Sequence, residues 1–178
     1  EYLELFNTYP WSPPETYRRQ EDALISGLRE LNLTFRTVLE VGCGFGRITK
    51  LMLEQFKEIE HYTAVDISKG QIENANEYVG KEPRLSFIVS DSEDLGIQIK
   101  YDLVLSVEML MHCNPELAIP NMIRCANVAI ANLDNGTLDE DENGSLVNTF
   151  DYGRLYMALG CKKIIVKRAL PFQLLWIG

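Results

Sequence analysis

The chain has only two histidines and four cysteines in 178 residues, and no two cysteines form a Cys-x-x-Cys pair. Metal fingers and redox motifs need such closely spaced ligands or thiols. Cys43, Cys113, Cys125 and Cys161 therefore read as reduced core thiols, and no metal site is expected. No apolar run approaches the roughly 20 residues of a membrane-spanning helix. "EYLELFNTYP" lacks the charged start and apolar core of a signal peptide, so a cytoplasmic protein without membrane contact is expected. Positive charge is scarce too. Against 26 Asp and Glu stand 17 Lys and Arg, a net charge of −9 that opposes the phosphate attraction behind most nucleic-acid affinity. A nucleic-acid partner is disfavoured.

No internal repeat is present, and a 46% hydrophobic content suffices for one core. A single domain over residues 1–178 is expected, with an N-terminal segment and helix (1–35) leading into an α/β core (36–178). Apolar strand-like runs alternate with stripes at helical spacing, which predicts a parallel sheet with crossover helices. Tyr17, Leu24, Leu28 and Leu31 share one face of an opening helix that can start at Pro13-Pro14. Strands are predicted at Thr37–Val41, His61–Ile67, Leu85–Val89, Tyr101–Val107 and Val128–Asn132. Between them lie the stripe Ile48, Leu51, Met52 and Phe56, a helix capped by Ser68, and a helix carrying Ile119, Met122, Ile123 and Ala126. The run from Leu133 to Ser145 is acidic and aperiodic and reads as a solvated loop. A short helix from Tyr152 closes at Gly160. "KKIIVKRA" and "FQLLWI" then follow with only Leu170 and Pro171 between them, which predicts an antiparallel pair.

The informative stretch is "VLEVGCGFGRIT" at residues 38–49. A strand ending in an acid, then Gly42, Gly44 and Gly46, places bare backbone amides before a helix at the carboxyl edge of a parallel sheet, where ligands bind. The spacing is E-x-G-x-G-x-G rather than the G-x-G-x-x-G of dinucleotide sites, and no Gly-Lys-Ser/Thr follows. It suits a ligand that brings no phosphate to the loop.

These residues resemble the first motif of the class I S-adenosylmethionine-dependent methyltransferases, and the resemblance runs from the first strand to the final hairpin. It implies a Rossmann-like three-layer sandwich, with a seven-stranded, mostly parallel sheet ending in an antiparallel hairpin. It also implies that S-adenosyl-L-methionine is the cofactor and S-adenosyl-L-homocysteine the product. The glycine loop, with Cys43 contributing through its backbone, would pack against the methionine part. Asp66, twenty residues past Gly46, matches the acid that accepts the ribose hydroxyls, and Ile67 adjoins it. "VSDSEDL" is similar to the segment that meets adenine, which points to Asp91 and the Ser92 amide. "YDLVLSVEMLMH" is similar to the strand and loop beside the sulfonium and brings in Ser106. Glu40 reads as a tether of the glycine loop or a partner of the cofactor's amino group. Arg18 on the opening helix suits the cofactor's carboxylate.

The implied activity is methyl transfer to an O or N atom of an acceptor. Candidate acceptor contacts are His112 just past the fourth strand, Asp151 and Tyr152 at the start of the last helix, and Glu108. For His112 the other reading is a loop brace, for Asp151 a helix N-cap, and for Tyr152 part of an apolar stripe. Tyr2, Phe6, Tyr9 and Trp11 form an aromatic segment that can cover either the acceptor or the core. No long insertion follows the fifth strand, which favours a small-molecule acceptor. The alternatives are a protein or RNA methyltransferase, a catalytically silent cofactor-binding subunit, and an aminopropyl transferase.

Overall fold

The structure is a computed structural model that describes residues 14–135, 152–161, 164–169 and 172–177. For residues 14, 134 and 135 and for the last two strands it describes the backbone alone. Helix α1 (Pro14–Glu30) begins on a proline, whose missing N–H would have no intrahelical acceptor in the first turn anyway. It buries Leu24, Ile25 and Leu28 at helical spacing.

Strand β1 (Thr37–Val41) and helix α2 (Arg47–Gln55) flank the glycine loop, and β2 (His61–Asp66), α3 (Lys69–Val79) and β3 (Leu85–Val89) follow. After β4 (Tyr101–Val107) come a single 3-10 turn at Leu110–His112, α4 (Pro115–Cys125), β5 (Ala126–Asn135), α5 (Tyr152–Ala158), β6 (Ile164–Ala169) and β7 (Phe172–Ile177). The sheet order is β3-β2-β1-β4-β5-β7-β6. Strands β1 to β5 pair in parallel, while β7 runs antiparallel to both β5 and β6. This is the parallel sheet with crossover helices that the alternating pattern predicts, in the α/β Rossmann-like arrangement that the resemblance implies.

Apolar clusters cover both faces of the sheet. On one face α1, α2 and α3 contribute Leu24, Leu28, Ile48, Met52 and Ile72, packed on Val38, Leu103 and Leu105. On the other, α4 and α5 contribute Ile119, Met122 and Tyr156, packed on Leu39, Val104 and Ile130. Central β1 and β4 are buried almost throughout, whereas edge strand β3 leaves Ile88 and Val89 exposed.

The Ser68 cap is present, its hydroxyl accepting from the Gln71 amide. Several boundaries differ from the sequence reading, with Leu31 and Phe56 each lying just past the end of the helix assigned to it. Ile67 falls outside β2, which ends at Asp66. Ala126 belongs to the strand rather than the helix before it, because its extended backbone pairs at once with Tyr101. Leu133 to Asn135, assigned above to the acidic loop, extend β5 because Leu174, Gln173 and Phe172 of β7 pair with them. Among the described residues, no helix is long and apolar enough to cross a membrane.

Candidate active site

Strands β1 and β4 are neighbours at the point where the strand order reverses, so a crevice opens beyond their carboxyl ends. The glycine loop lies there. The Gly42 and Cys43 amides both donate to the Val65 carbonyl at the end of β2, at 2.8 and 2.9 Å. Gly42, Gly44 and Gly46 all take positive φ, at 79°, 53° and 86°. A side chain at Gly42 would strike Met109, whose Cγ lies 2.2 Å from an ideal Cβ. At Gly44 a Cβ would meet nothing within 4 Å, so this is the open face of the loop.

Asp66 spans the loop and the next helix. Its Oδ2 accepts from the Gly44 amide at 2.8 Å and its Oδ1 from the Ser68 amide at 2.9 Å. Each carboxylate oxygen keeps a further lone pair that can take a hydroxyl. Ile67 beside it is 66% exposed, an apolar surface suited to one face of a flat ring. The Ser90 amide bonds the Asp66 carbonyl at 2.9 Å and so holds the start of the Asp91 turn against the end of β2. Asp91 Oδ1 accepts from the Glu93 amide at 2.8 Å, and Asn121 of α4 donates to the carbonyls of Ser92 and Glu93. Asp66, Ile67, Asp91 and Ser92 therefore lie along one edge, beside the glycine loop.

Glu40 has a different setting. It is buried in β1, where its Oε2 accepts from Thr49 Oγ1 of α2 and from the Tyr62 hydroxyl of β2, the latter at 2.9 Å. Burial pushes its carboxyl from 4.5 to about 7, against the downward pull of those bonds and of the Arg47 charge. Burial, with the Glu40 and Asp66 charges, also drives the Cys43 thiol far above its ordinary value, so this cysteine stays a neutral spacer.

The remaining candidates are scattered. Arg18 is exposed on α1, and His112 is exposed at the end of the 3-10 turn. Ser106 is fully buried in β4, and its hydroxyl has no hydrogen-bond partner. Tyr152 is buried in the cluster beneath α4 and α5. Asp151, the N-terminal aromatics and most of the acidic loop lie outside the described residues. Among the described residues no group of three or more His, Cys, Asp and Glu could hold a metal.

Two features, Met109 and Arg47, escaped the sequence reading, and the candidate Glu108 gains a setting that the sequence does not show. Glu108 takes a φ of 56° directly after β4, with its amide anchored to the Leu133 carbonyl at 2.7 Å. Met109 seals the inner side of Gly42. Arg47 reaches out of α2 to α1. The signal for Arg47 was available, since it is a cation at a helix start, where acids are favoured.

Residues 38–129 match the family model described as a methyltransferase domain. The chain is 45% identical over 69 residues to the malonyl-acyl-carrier protein O-methyltransferase of Priestia megaterium, covering 39% of this chain and 24% of that protein. To the enzyme of the same name from Anoxybacillus flavithermus it is 39% identical over 71 residues, covering 40% and 27%. The matched stretches thus span about a quarter of these curated relatives. In fold the chain is similar to the N-methyltransferase NodS of Bradyrhizobium japonicum, with a TM-score of 0.70 at 14% identity over 92% of this chain and 96% of that one. It is also similar to the magnesium protoporphyrin IX methyltransferase of Synechocystis, solved with S-adenosylmethionine bound, with a TM-score of 0.64 at 16% identity over 90% and 78%.

Proposed function

The chain belongs to the methyltransferase domain family, which uses S-adenosyl-L-methionine, and on that premise we propose that it transfers a methyl group from this cofactor to an oxygen or nitrogen of a small-molecule acceptor. The observation that carries the reading is the joint placement of an open Gly44, with its amide on Asp66, and an exposed Ile67 beside the Asp91 turn. That edge offers a bare backbone, a carboxylate for a diol, an apolar face and a second acid, in the order that a nucleoside carrying an amino acid on its ribose through sulfur presents the matching groups.

When bound, the cofactor supplies an electrophilic methyl on a sulfonium. Asp66 would hold the ribose hydroxyls, Ile67 would cover the adenine, and Asp91 with the Ser92 amide would meet the adenine edge. The glycine loop would lie against the methionine part, with its inner side sealed by Met109. What the protein adds is alignment of an acceptor lone pair and exclusion of water, and such positioning can supply about 7–11 kcal/mol. A general base typically adds about 10²- to 10⁴-fold, so the reading does not depend on one. His112 is proposed to face the acceptor, from an exposed position just beyond β4. The acceptors of the curated relatives favour oxygen within this proposal.

Incubation with methyl-labelled cofactor and fractionated cell extract tests it. Label entering a small molecule supports the proposal. Label in protein or RNA names another acceptor class, and binding without transfer identifies a silent subunit.

A further inference from the structure

The face of α1 that meets the domain changes character along its length. Leu24, Ile25 and Leu28 are apolar and buried, but one and two turns earlier the same face presents Tyr17, Gln20 and Glu21. All three converge on Arg47. Its Nη1 donates to Glu21 Oε1 at 2.9 Å, its Nη2 donates to Gln20 Oε1 at 2.8 Å, and its guanidinium carbon lies 4.4 Å from the centroid of the Tyr17 ring. Arg47 is 9% exposed and Gln20 1%. One side chain thus joins α1 to the residue that directly follows Gly46.

Local rules do not place an arginine there. The first turn of α2 carries no acid, and a cation at that end opposes the helix dipole. Simple adhesion would be served as well by continuing the apolar stripe, because a buried ionic network is rarely more stabilising than apolar residues of similar volume. A residue that breaks a local rule without a gain in stability points to function. A polar contact can be made and released as a unit, whereas the Leu24–Leu28 half of α1 belongs to the main core.

We propose that Arg47 is a positioning residue that latches the first two turns of α1 against the glycine loop, so that seating of α1 and binding of the cofactor are coupled. The inference rests on the cofactor reading above. With α1 seated, its first two turns brace the start of α2 directly after Gly46 through Arg47, and a loop held in this way offers a ligand a preorganised surface. That gives the ligand its differential affinity for the seated state. Release of the product then requires the latch to open.

The test uses the full chain, S-adenosyl-L-homocysteine as probe, and the variants Arg47→Met, Arg47→Lys and Glu21→Gln. Glu21→Gln weakens the latch without touching the glycine loop. In the wild type the probe should slow amide exchange over residues 15–21. In Arg47→Met and Glu21→Gln that protection should be lost, affinity should fall about tenfold, within the ordinary range of coupling between sites, and dissociation should quicken. Arg47→Lys should restore part of the affinity through the ion pair. Affinity within twofold of wild type in Glu21→Gln, or ligand-induced protection of α1 persisting in Arg47→Met, would overturn the latch. If the wild type itself does not bind the probe, the cofactor reading fails first and the latch falls with it. Melting temperature is recorded alongside, because a merely structural arginine would lower it in step with affinity and leave the ligand-induced protection intact.

Discussion

The Gly44 amide donates a 2.8 Å hydrogen bond to Asp66 Oδ2, tying the open point of the glycine loop to the end of the neighbouring strand. One carboxylate thereby shapes the loop and presents itself to whatever the loop holds. Asp66→Ala should then lose both contributions. Charge-assisted hydrogen bonds of this kind contribute about 1.5–3 kcal/mol each, so affinity for S-adenosyl-L-homocysteine should fall by at least tenfold. Calorimetry on both proteins measures this, and unchanged affinity would remove Asp66 from the site. Nicotinamide dinucleotides should bind neither protein.

Two glycines of the same loop should separate stability from binding. A left-handed backbone costs a side chain roughly 1–2 kcal/mol at either position. Gly42→Ala must also displace Met109, while Gly44→Ala meets open space. Gly42→Ala should therefore lower the melting temperature more. Gly44→Ala should lose more of the upward shift that S-adenosyl-L-homocysteine gives. Melting curves with and without the ligand decide both, and equal shifts in wild type and Gly44→Ala would place the ligand elsewhere.

Much of this edge was legible in the sequence, because it is built from local signals. The alternate glycines after a buried strand, the acid ending the next strand and the Ser68 cap are each readable within a dozen residues. The parts that were not legible depend on contacts across the fold. Glu40 reads as a tether of the glycine loop or a partner of the cofactor's amino group until Thr49 and Tyr62 are seen to enclose it from two other elements. Nothing local gives Arg47 its partners until Gln20 and Glu21 of α1 are seen to lie over it. The early start of β5 had no turn residue to mark it, and its extension through Asn135 depends on β7, which is distant in sequence. Tyr152 fits both of the roles open to it by position, and the structure puts its ring in the core.

Glu40 sets a pH dependence of stability. Its folded-state value of about 7 lies above the ordinary carboxylate value of 4.5, so the native state holds this proton more tightly than the unfolded chain does. The resulting stabilisation is fully present below about pH 4.5 and is lost as pH rises through about 7. The difference is on the order of 3 kcal/mol. Glu40→Gln imitates the protonated form and should flatten this part of the profile, with the variant gaining on wild type at pH 8 relative to pH 5. Urea midpoints across that range check it. A wild-type advantage that grows with pH would mean that Thr49, Tyr62 and Arg47 outweigh burial.

The acceptor side turns on His112, which ends the 3-10 turn beyond β4 and is exposed, unlike the buried Tyr152. Exposed side chains away from special backbone geometry change stability by only about 0.5 kcal/mol, so His112→Ala should melt close to wild type. A group that meets only the acceptor and the transition state affects turnover without affecting cofactor binding. His112→Ala should thus lose about 10²-fold in turnover, in the extract fraction that accepts label, while its affinity for S-adenosyl-L-homocysteine stays within twofold. Tyr152→Phe keeps the buried ring and should leave turnover nearly intact unless the hydroxyl itself reaches the acceptor. If His112→Ala keeps full turnover and melts lower instead, the residue braces the loop. The acceptor must then be sought at Glu108, where the chain turns out of β4 with a positive φ into the same crevice.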